Sequence, residues 1–287
     1  MEPSAGSHRG AQTPASQGAD GDDARFSFAK FAAHPFFKEV NAWLVGHAGI
    51  NPGSDVVDLG CGPGAVTELI LQRMGVPPLG HVFAIDPSAS ALVQAAQRIQ
   101  SAVVRFIQGT AERVSSLVPP VDTVVFCNAI HLVPDKAQVV AGINKVLRPS
   151  GVLAFNTTFF NGAYPSDTHR FYKAWVLRAM RWLQERGHVV ARGVKATAMQ
   201  WLSADEYRSL LRAHGFGETE FELQEKRLPR EAWEDISEFS MFIEGALPGI
   251  PLEIGAEALK VGVRQAFEDL RLQAVPRIWL QIIARRT

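Results

Sequence analysis

The chain has 287 residues, of which 47% are hydrophobic and 20% charged, an ordinary balance for one sizeable α/β domain with elaborations. Lys+Arg and Asp+Glu number 29 each, so net charge gives no electrostatic reason to expect nucleic acid or an anionic membrane as partner. Two cysteines, Cys61 and Cys127, build no disulfide framework, no apolar run approaches the ~20 residues of a bilayer span, and the N-terminal stretch has no signal-peptide core; together these predict a cytoplasmic protein without integral membrane association.

Residues 1–24 are Ser-, Gly-, Ala-, Gln- and Asp-rich with no apolar face, the composition of a disordered tail. One domain is expected over 25–287. Its first segment, 26–48, crowds Phe26, Phe28, Phe31, Phe36, Phe37, Trp43 and Leu44 around Pro35, which predicts two short amphipathic helices, either packed on the domain or forming a helical lid over a small-molecule site. A strand–helix alternation follows. Strands are expected at Asp55–Leu59, His81–Asp86, Val103–Gln108, Asp122–Asn128 and Val152–Thr157, with helices at Ala65–Met74, Ala89–Gln100 and Lys136–Leu147. Runs such as Thr123-Val124-Val125-Phe126 are apolar on both sides, as in strands covered on both faces. The alternation predicts an α/β fold with a parallel, doubly wound sheet. Ser203 with Glu206 is a capping box opening a helix that Gly215 ends. Strands are then expected within Phe216–Leu228 and at Val275–Ala284. Two segments, 161–200 and 229–272, depart from the alternation and read as helical inserts carrying Phe171, Trp175, Leu183, Trp233 and Phe267. They predict either an apolar chamber or helices that thicken the core.

The run Val56-Val57-Asp58-Leu59-Gly60-Cys61-Gly62-Pro63-Gly64 carries the most chemistry. An apolar strand ends in an acid, a glycine-rich turn follows, and a helix opens at Ala65. Glycines allow positive φ and close approach of backbone to a ligand, and the helix start aims N–H groups at it. Gly60-x-Gly62-x-x-Ala65 also fits the dinucleotide fingerprint, with Asp86 near the expected ribose acid. That reading predicts an NAD(P)-dependent oxidoreductase. Asp58 opposes it: a carboxylate beside the turn repels a pyrophosphate and attracts a sulfonium or ammonium.

In order along the chain, the first motif just quoted, Ile85-Asp86-Pro87-Ser88, Gln108-Gly109-Thr110-Ala111-Glu112, Asp122–Asp135 and Leu147-Arg148-Pro149-Ser150-Gly151-Val152-Leu153 resemble the five motifs of the class I S-adenosylmethionine-dependent methyltransferases, small-molecule type. The resemblance runs from about Ser54 to Phe160 and resumes in Ser203–Phe221 and the last strand. It implies a Rossmann-like, seven-stranded sheet with an antiparallel last strand, and S-adenosylmethionine as cofactor. It also implies site residues. Gly60, Cys61, Gly62 and Gly64 lie at the methionine end and Asp58 at its ammonium. Asp86 suits the ribose hydroxyls and Pro87 the adenine. Thr110, Ala111 and Glu112 lie at the adenine edge, where the family often has an acid in place of Thr110, and Asn128 lies beneath the methyl donor.

His131 follows the fourth strand, where an acceptor should sit, and is the candidate general base or else a structural histidine. Tyr164, His169 and Tyr172 in the first insert could face the acceptor. Cys61 and Cys127 suit small buried positions better than nucleophiles, and no His/Cys cluster has metal-ligand spacing. The expected function is methyl transfer to an oxygen of a mid-sized, fairly apolar small molecule, of the kind found in secondary metabolism. C-methylation of an activated carbon is the runner-up. A non-catalytic scaffold would need a damaged first motif, and that motif is intact.

Overall fold

The computed structural model describes residues 24–191 and 200–287. The expected tail thus lies outside the described residues apart from Ala24, as do residues 192–199 of the first insert. Strands β1 (Val56–Leu59), β2 (Val82–Asp86), β3 (Val104–Gln108), β4 (Val121–Cys127), β5 (Leu147–Thr157), β6 (Phe216–Pro229) and β7 (Ala274–Arg286) form one sheet. Their order is β3-β2-β1-β4-β5-β7-β6. β1 to β5 run parallel, and β7 is antiparallel to both β5 and β6. β1 pairs β2 on one side and β4 on the other, so the winding reverses there. In open α/β sheets, ligands bind outside the carboxyl ends of strands at such a point.

Helices α1 (Ala29–Ala32), α2 (Pro35–His47), α3 (Ala65–Met74), α4 (Ala89–Arg98), α5 (Val114–Leu117), α6 (Lys136–Val146), α7 (His169–Gln184), α8 (Ala204–Ala213), α9 (Arg230–Ile236), α10 (Ser240–Ala246) and α11 (Leu252–Asp269) complete the fold. Local chemistry sets their ends. Pro35 occupies the first turn of α2, where its missing N–H costs nothing. Ser88 caps α4 by accepting from Ala91 N. The capping box of Ser203 and Glu206 forms at α8. β5 begins five residues earlier than the apolar run suggests: Leu147 pairs with Val121 ahead of an irregularity in the β4 register, so Pro149 sits inside the strand's opening turn.

Two large hydrophobic clusters stand behind the sheet edge. One joins β1, β2, β4, β5 and β7 to α6 and α8 through residues such as Leu59, Phe126, Ile143, Phe155 and Tyr207. The other gathers the N-terminal aromatics and the inserts: Phe31, Phe37, Phe171, Trp175, Trp233 and Phe267 are all buried against one another. These large side chains therefore fill each other's spaces as a second core. Of the acceptor-side candidates in the first insert, Tyr164 and Tyr172 are half-buried and His169 is exposed. Among the described residues no helix is long and apolar enough to cross a membrane, and no group of side chains could hold a metal ion.

Candidate active site

The glycine turn after β1 is held by backbone bonds to β2: Gly60 N and Cys61 N donate to the Ile85 carbonyl at 2.8 and 3.0 Å. Gly60, Gly62 and Gly64 all have positive φ, at 72°, 51° and 89°. Two of them do different jobs. A Cβ on Gly62 would meet nothing within 4 Å, so this face of the turn is open to a ligand. A Cβ on Gly64 would stand 2.7 Å from Ile99 Cδ1 and 3.3 Å from Ala95 Cβ. Gly64 therefore serves the packing of α3 on α4.

Two carboxylates border the turn. Asp58 is 1% exposed. Its Oδ2 accepts from the Thr67 hydroxyl at 2.6 Å, while Oδ1 has no hydrogen-bond partner among the described residues. Burial, with a smaller push from Asp86, drives its pKa up to about 7 against the hydrogen bond from Thr67. Asp86 is also buried, and burial raises its pKa although Ser88 N and Gly62 N both donate to it, at 2.9 and 2.8 Å. Each Asp86 oxygen already takes one N–H and keeps acceptor capacity for a second donor. Two buried acids that repel each other make a pocket suited to a cation. The same field opposes a pyrophosphate.

The remaining motifs close on the same point. Gly109 N donates to the Asp86 carbonyl at 3.1 Å, drawing the Thr110–Glu112 turn to the end of β2. Thr110 is exposed there, with Ala111 and Glu112 half-buried. Pro87 is exposed, and Gln108 Nε2 donates to its carbonyl at 3.2 Å. The fourth motif meets the turn through Ala129 Cβ, which would lie 3.1 Å from a Cβ on Gly60. Asn128 is left-handed, with φ 51°, and its amide is committed within the protein. Nδ2 donates to Asn41 Oδ1 at 3.1 Å, and Oδ1 accepts from Trp279 Nε1 at 2.9 Å. Asn41 Oδ1 also accepts from Asn156 Nδ2 at 3.0 Å. These bonds pin α2 and β7 to the end of β4 through the Asn128 amide. Cys61 and Cys127 are both buried, and burial raises both thiol pKa values, so neither is a nucleophile at neutral pH.

His131 lies in a 3-10 turn, Ile130–Leu132, at the β4–α6 connection. Its ring stacks on Phe159 at 4.2 Å, and Nδ1 faces the Thr157 hydroxyl at 3.4 Å. Burial first, then the charges of Lys136 and Arg277, push its pKa down to about 3. The imidazole is neutral at pH 7 and a feeble proton acceptor, which limits the expected base role.

Sequence reasoning missed several residues around the turn. Thr67 lies in the first turn of α3, nine residues on from the strand acid it bonds. Asn41 and Asn156 read as ordinary polar residues until the fold brings them together. Arg277 left a visible signal: it is a cation at an inward position of the apolar stretch Val275–Ile283, and it is buried. A surface cavity of about 340 Å³, lined by Asp167, Arg227 and Arg271 among others, shares no residue with this site.

Residues 56–151 match the family model described as a methyltransferase domain. The trans-aconitate 2-methyltransferase of Azoarcus sp. (strain BH72) is 36% identical over 131 residues, 45% of this chain and 48% of that protein. The chain thus spans about half the length of this curated relative. The cyclopropane synthase MmaA2 of Mycobacterium tuberculosis shares the fold with TM-score 0.54 at 17% identity, covering 86% of this chain and 84% of its own. A phosphoethanolamine N-methyltransferase of Haemonchus contortus, solved with S-adenosylhomocysteine, superposes with TM-score 0.54 at 14% identity over 91% of this chain and 56% of its own. S-adenosylmethionine is the cofactor that goes with this family, and the residues fit it: an orphaned, buried Asp58 oxygen awaits a donor, and Gly62 leaves the space a side chain would fill. Residues 56–151 form a methyltransferase domain, and the sheet order around them is similar to that of the class I S-adenosylmethionine-dependent methyltransferases.

Proposed function

We propose that this protein transfers the methyl group of S-adenosylmethionine to an oxygen of a small molecule. The observation that carries this reading is the pair of buried acids, Asp58 and Asp86, beside an open glycine turn. Asp58 would take the ammonium of the methionine end, Asp86 the ribose hydroxyls, and the backbone of Gly60, Cys61, Gly62 and Gly64 the space between. Pro87, Thr110, Ala111 and Glu112 would border the adenine, and Asn128 would meet the donor through its carbonyl. When bound, the cofactor supplies a methyl carbon on a sulfonium, so the protein's own task is alignment and exclusion of water, worth effective molarities of ~10⁵ M or more. The zero net charge and the lack of a basic stripe favour a small-molecule acceptor over nucleic acid.

The test is a labelled-donor assay against a small-molecule mixture, with the position of the new methyl read by NMR. Methyl on oxygen supports the reading. No binding of S-adenosylmethionine at millimolar ligand refutes it. Asp86→Asn keeps the shape and removes the charge, and is expected to weaken cofactor affinity 10- to 100-fold, roughly 1.5–3 kcal/mol for a charge-assisted hydrogen bond. Calorimetry with S-adenosylhomocysteine checks this, and an unchanged affinity removes Asp86 from the ribose.

His131 would then orient the acceptor as a neutral ring. At saturating donor, turnover should show no acid limb near pH 6.5, because the folded imidazole titrates near 3. An acid limb between pH 6 and 7 that vanishes in His131→Asn would make it a base after all.

A further inference from the structure

Among the described residues, Arg277 carries a charge that no acidic partner neutralises. It is 3% exposed. Nε and one terminal nitrogen donate to the hydroxyl and carbonyl of Thr158 at 2.8 and 2.7 Å, and the other terminal nitrogen reaches the Tyr172 hydroxyl at 3.3 Å. The rings of Phe159, Tyr164 and Trp233 surround its Cζ at 5.0, 4.7 and 5.8 Å. Every one of these partners is neutral. A hydrogen bond with Tyr164 adds to these and likewise brings no negative charge. Burying a charge without a counter-ion is costly.

Two further observations fall at the same place. Lys136 is buried, and among the described residues its ammonium donates to the Val133 carbonyl alone, at 3.0 Å. Trp233 Nε1 is a buried donor with no hydrogen-bond partner among the described residues. Both cations lie close enough to His131 to disfavour its protonation. The end of β5 thus gathers donors and positive charge with no anion among the described residues to receive them, at the sheet edge where an acceptor would meet the methyl donor.

We propose that Arg277, helped by the Trp233 N–H and by Lys136, holds a carboxylate of the acceptor, and that the chain makes methyl esters of small carboxylic acids. This rests on the methyltransferase reading above and names its substrate class. A carboxylate is ionised at neutral pH. One oxygen sits on the guanidinium; the other uses a lone pair to form the new O–CH₃ bond as the S–CH₃ bond breaks, and that electron pair stays on sulfur. No proton moves, so a neutral His131 suffices. The ester is uncharged and loses its hold on Arg277, which favours its release.

The experiment offers the protein a cell extract of small metabolites with S-adenosylmethionine labelled in the methyl group, then treats the products with mild alkali. Esters give the label up as volatile methanol; ethers, amines and C-methyl products keep it. Alkali-labile label is expected. Arg277→Gln should lower its yield at least ~10-fold, the loss of one charge-assisted contact, with S-adenosylhomocysteine affinity unchanged by calorimetry. Apart from turnover, benzoate at constant ionic strength should raise the melting temperature of the S-adenosylhomocysteine complex and fail to do so in Arg277→Gln. Should Arg277→Gln not fold, Trp233→Phe removes the donor while keeping the ring and should lower the ester yield several-fold. Alkali-stable label, no label, or an Arg277→Gln protein as active as wild type overturns the proposal. Failure of the wild type to bind S-adenosylhomocysteine is a separate result and overturns the underlying methyltransferase reading.

Discussion

Asp58→Asn is expected to stabilise the free protein while weakening its grip on the cofactor. The folded carboxyl titrates near 7 because it is buried, against 3.8 in its ordinary state. Between those values the folded protein keeps a proton that the unfolded chain has released. Its contribution to stability therefore falls as pH rises through that window and is flat above it. By pH 8 the charged form costs on the order of 4 kcal/mol. Asparagine keeps an oxygen for the Thr67 hydroxyl and removes the charge. The stability gain of Asp58→Asn over wild type should grow by about 3 kcal/mol between pH 5 and pH 8, measured by urea melts. His131 has the opposite sign. Its folded pKa of about 3 lies below 6.5, so its contribution is full above 6.5 and is lost as pH falls. Only the difference between variant and wild type isolates Asp58. In the same variant S-adenosylmethionine binding should weaken about 100-fold, because a buried cation loses its partner. A variant that loses stability at pH 8 would mean that the free protein already satisfies this carboxylate.

Gly64→Ala and Gly62→Ala are expected to fail in different ways. At Gly64 the added methyl meets Ile99 Cδ1 at 2.7 Å and Ala95 Cβ at 3.3 Å, on a backbone with φ +89°. Ile99 Cδ1 can swing aside, whereas the Ala95 Cβ is fixed on α4. Overpacking together with the left-handed conformation should destabilise by about 3 kcal/mol. Ile99→Val, which deletes Cδ1, should recover part of that loss. At Gly62, with φ +51° and nothing within 4 Å, the cost should be about 1 kcal/mol. The methyl there fills ligand space, so cofactor affinity should drop while the melting temperature barely moves. Thermal melts and calorimetry on both variants separate the two. A larger stability loss at Gly62 than at Gly64 would reverse the assignment.

These contrasts show what the sequence could and could not disclose. The sheet was legible because hydrophobic periodicity and turn residues are local signals: Ala65–Met74 falls where the pattern after Gly64 puts it, and β1 to β4 lie within a residue of their apolar runs. The last strand's antiparallel place came from family likeness, which periodicity alone does not carry. Asp58 was legible as a charge in the wrong place for a phosphate. Its raised pKa was not, because that depends on burial and on Asp86, 28 positions along the chain but on the neighbouring strand. The inserts looked equally like chamber or core, since large apolar side chains at helical spacing serve both. Their packing into a second core came from contacts between Phe31, Phe171, Trp233 and Phe267, far apart in the chain. Asn128 directly follows β4, and its amide bonds Asn41 and Trp279. Such long-range hydrogen bonds leave no spacing pattern to read. Arg277 is the exception: a charge within an apolar strand is itself a signal.

The central claim is electrostatic: acids beside an open glycine turn select a cationic alkyl donor over a pyrophosphate. Parallel calorimetric titrations of the purified protein with S-adenosylmethionine and with NADP test it most directly. Saturable binding of S-adenosylmethionine that strengthens as pH rises through 7, with no heat from NADP, is the predicted result. Binding of NADP, or S-adenosylmethionine affinity indifferent to Asp58→Asn, would contradict it.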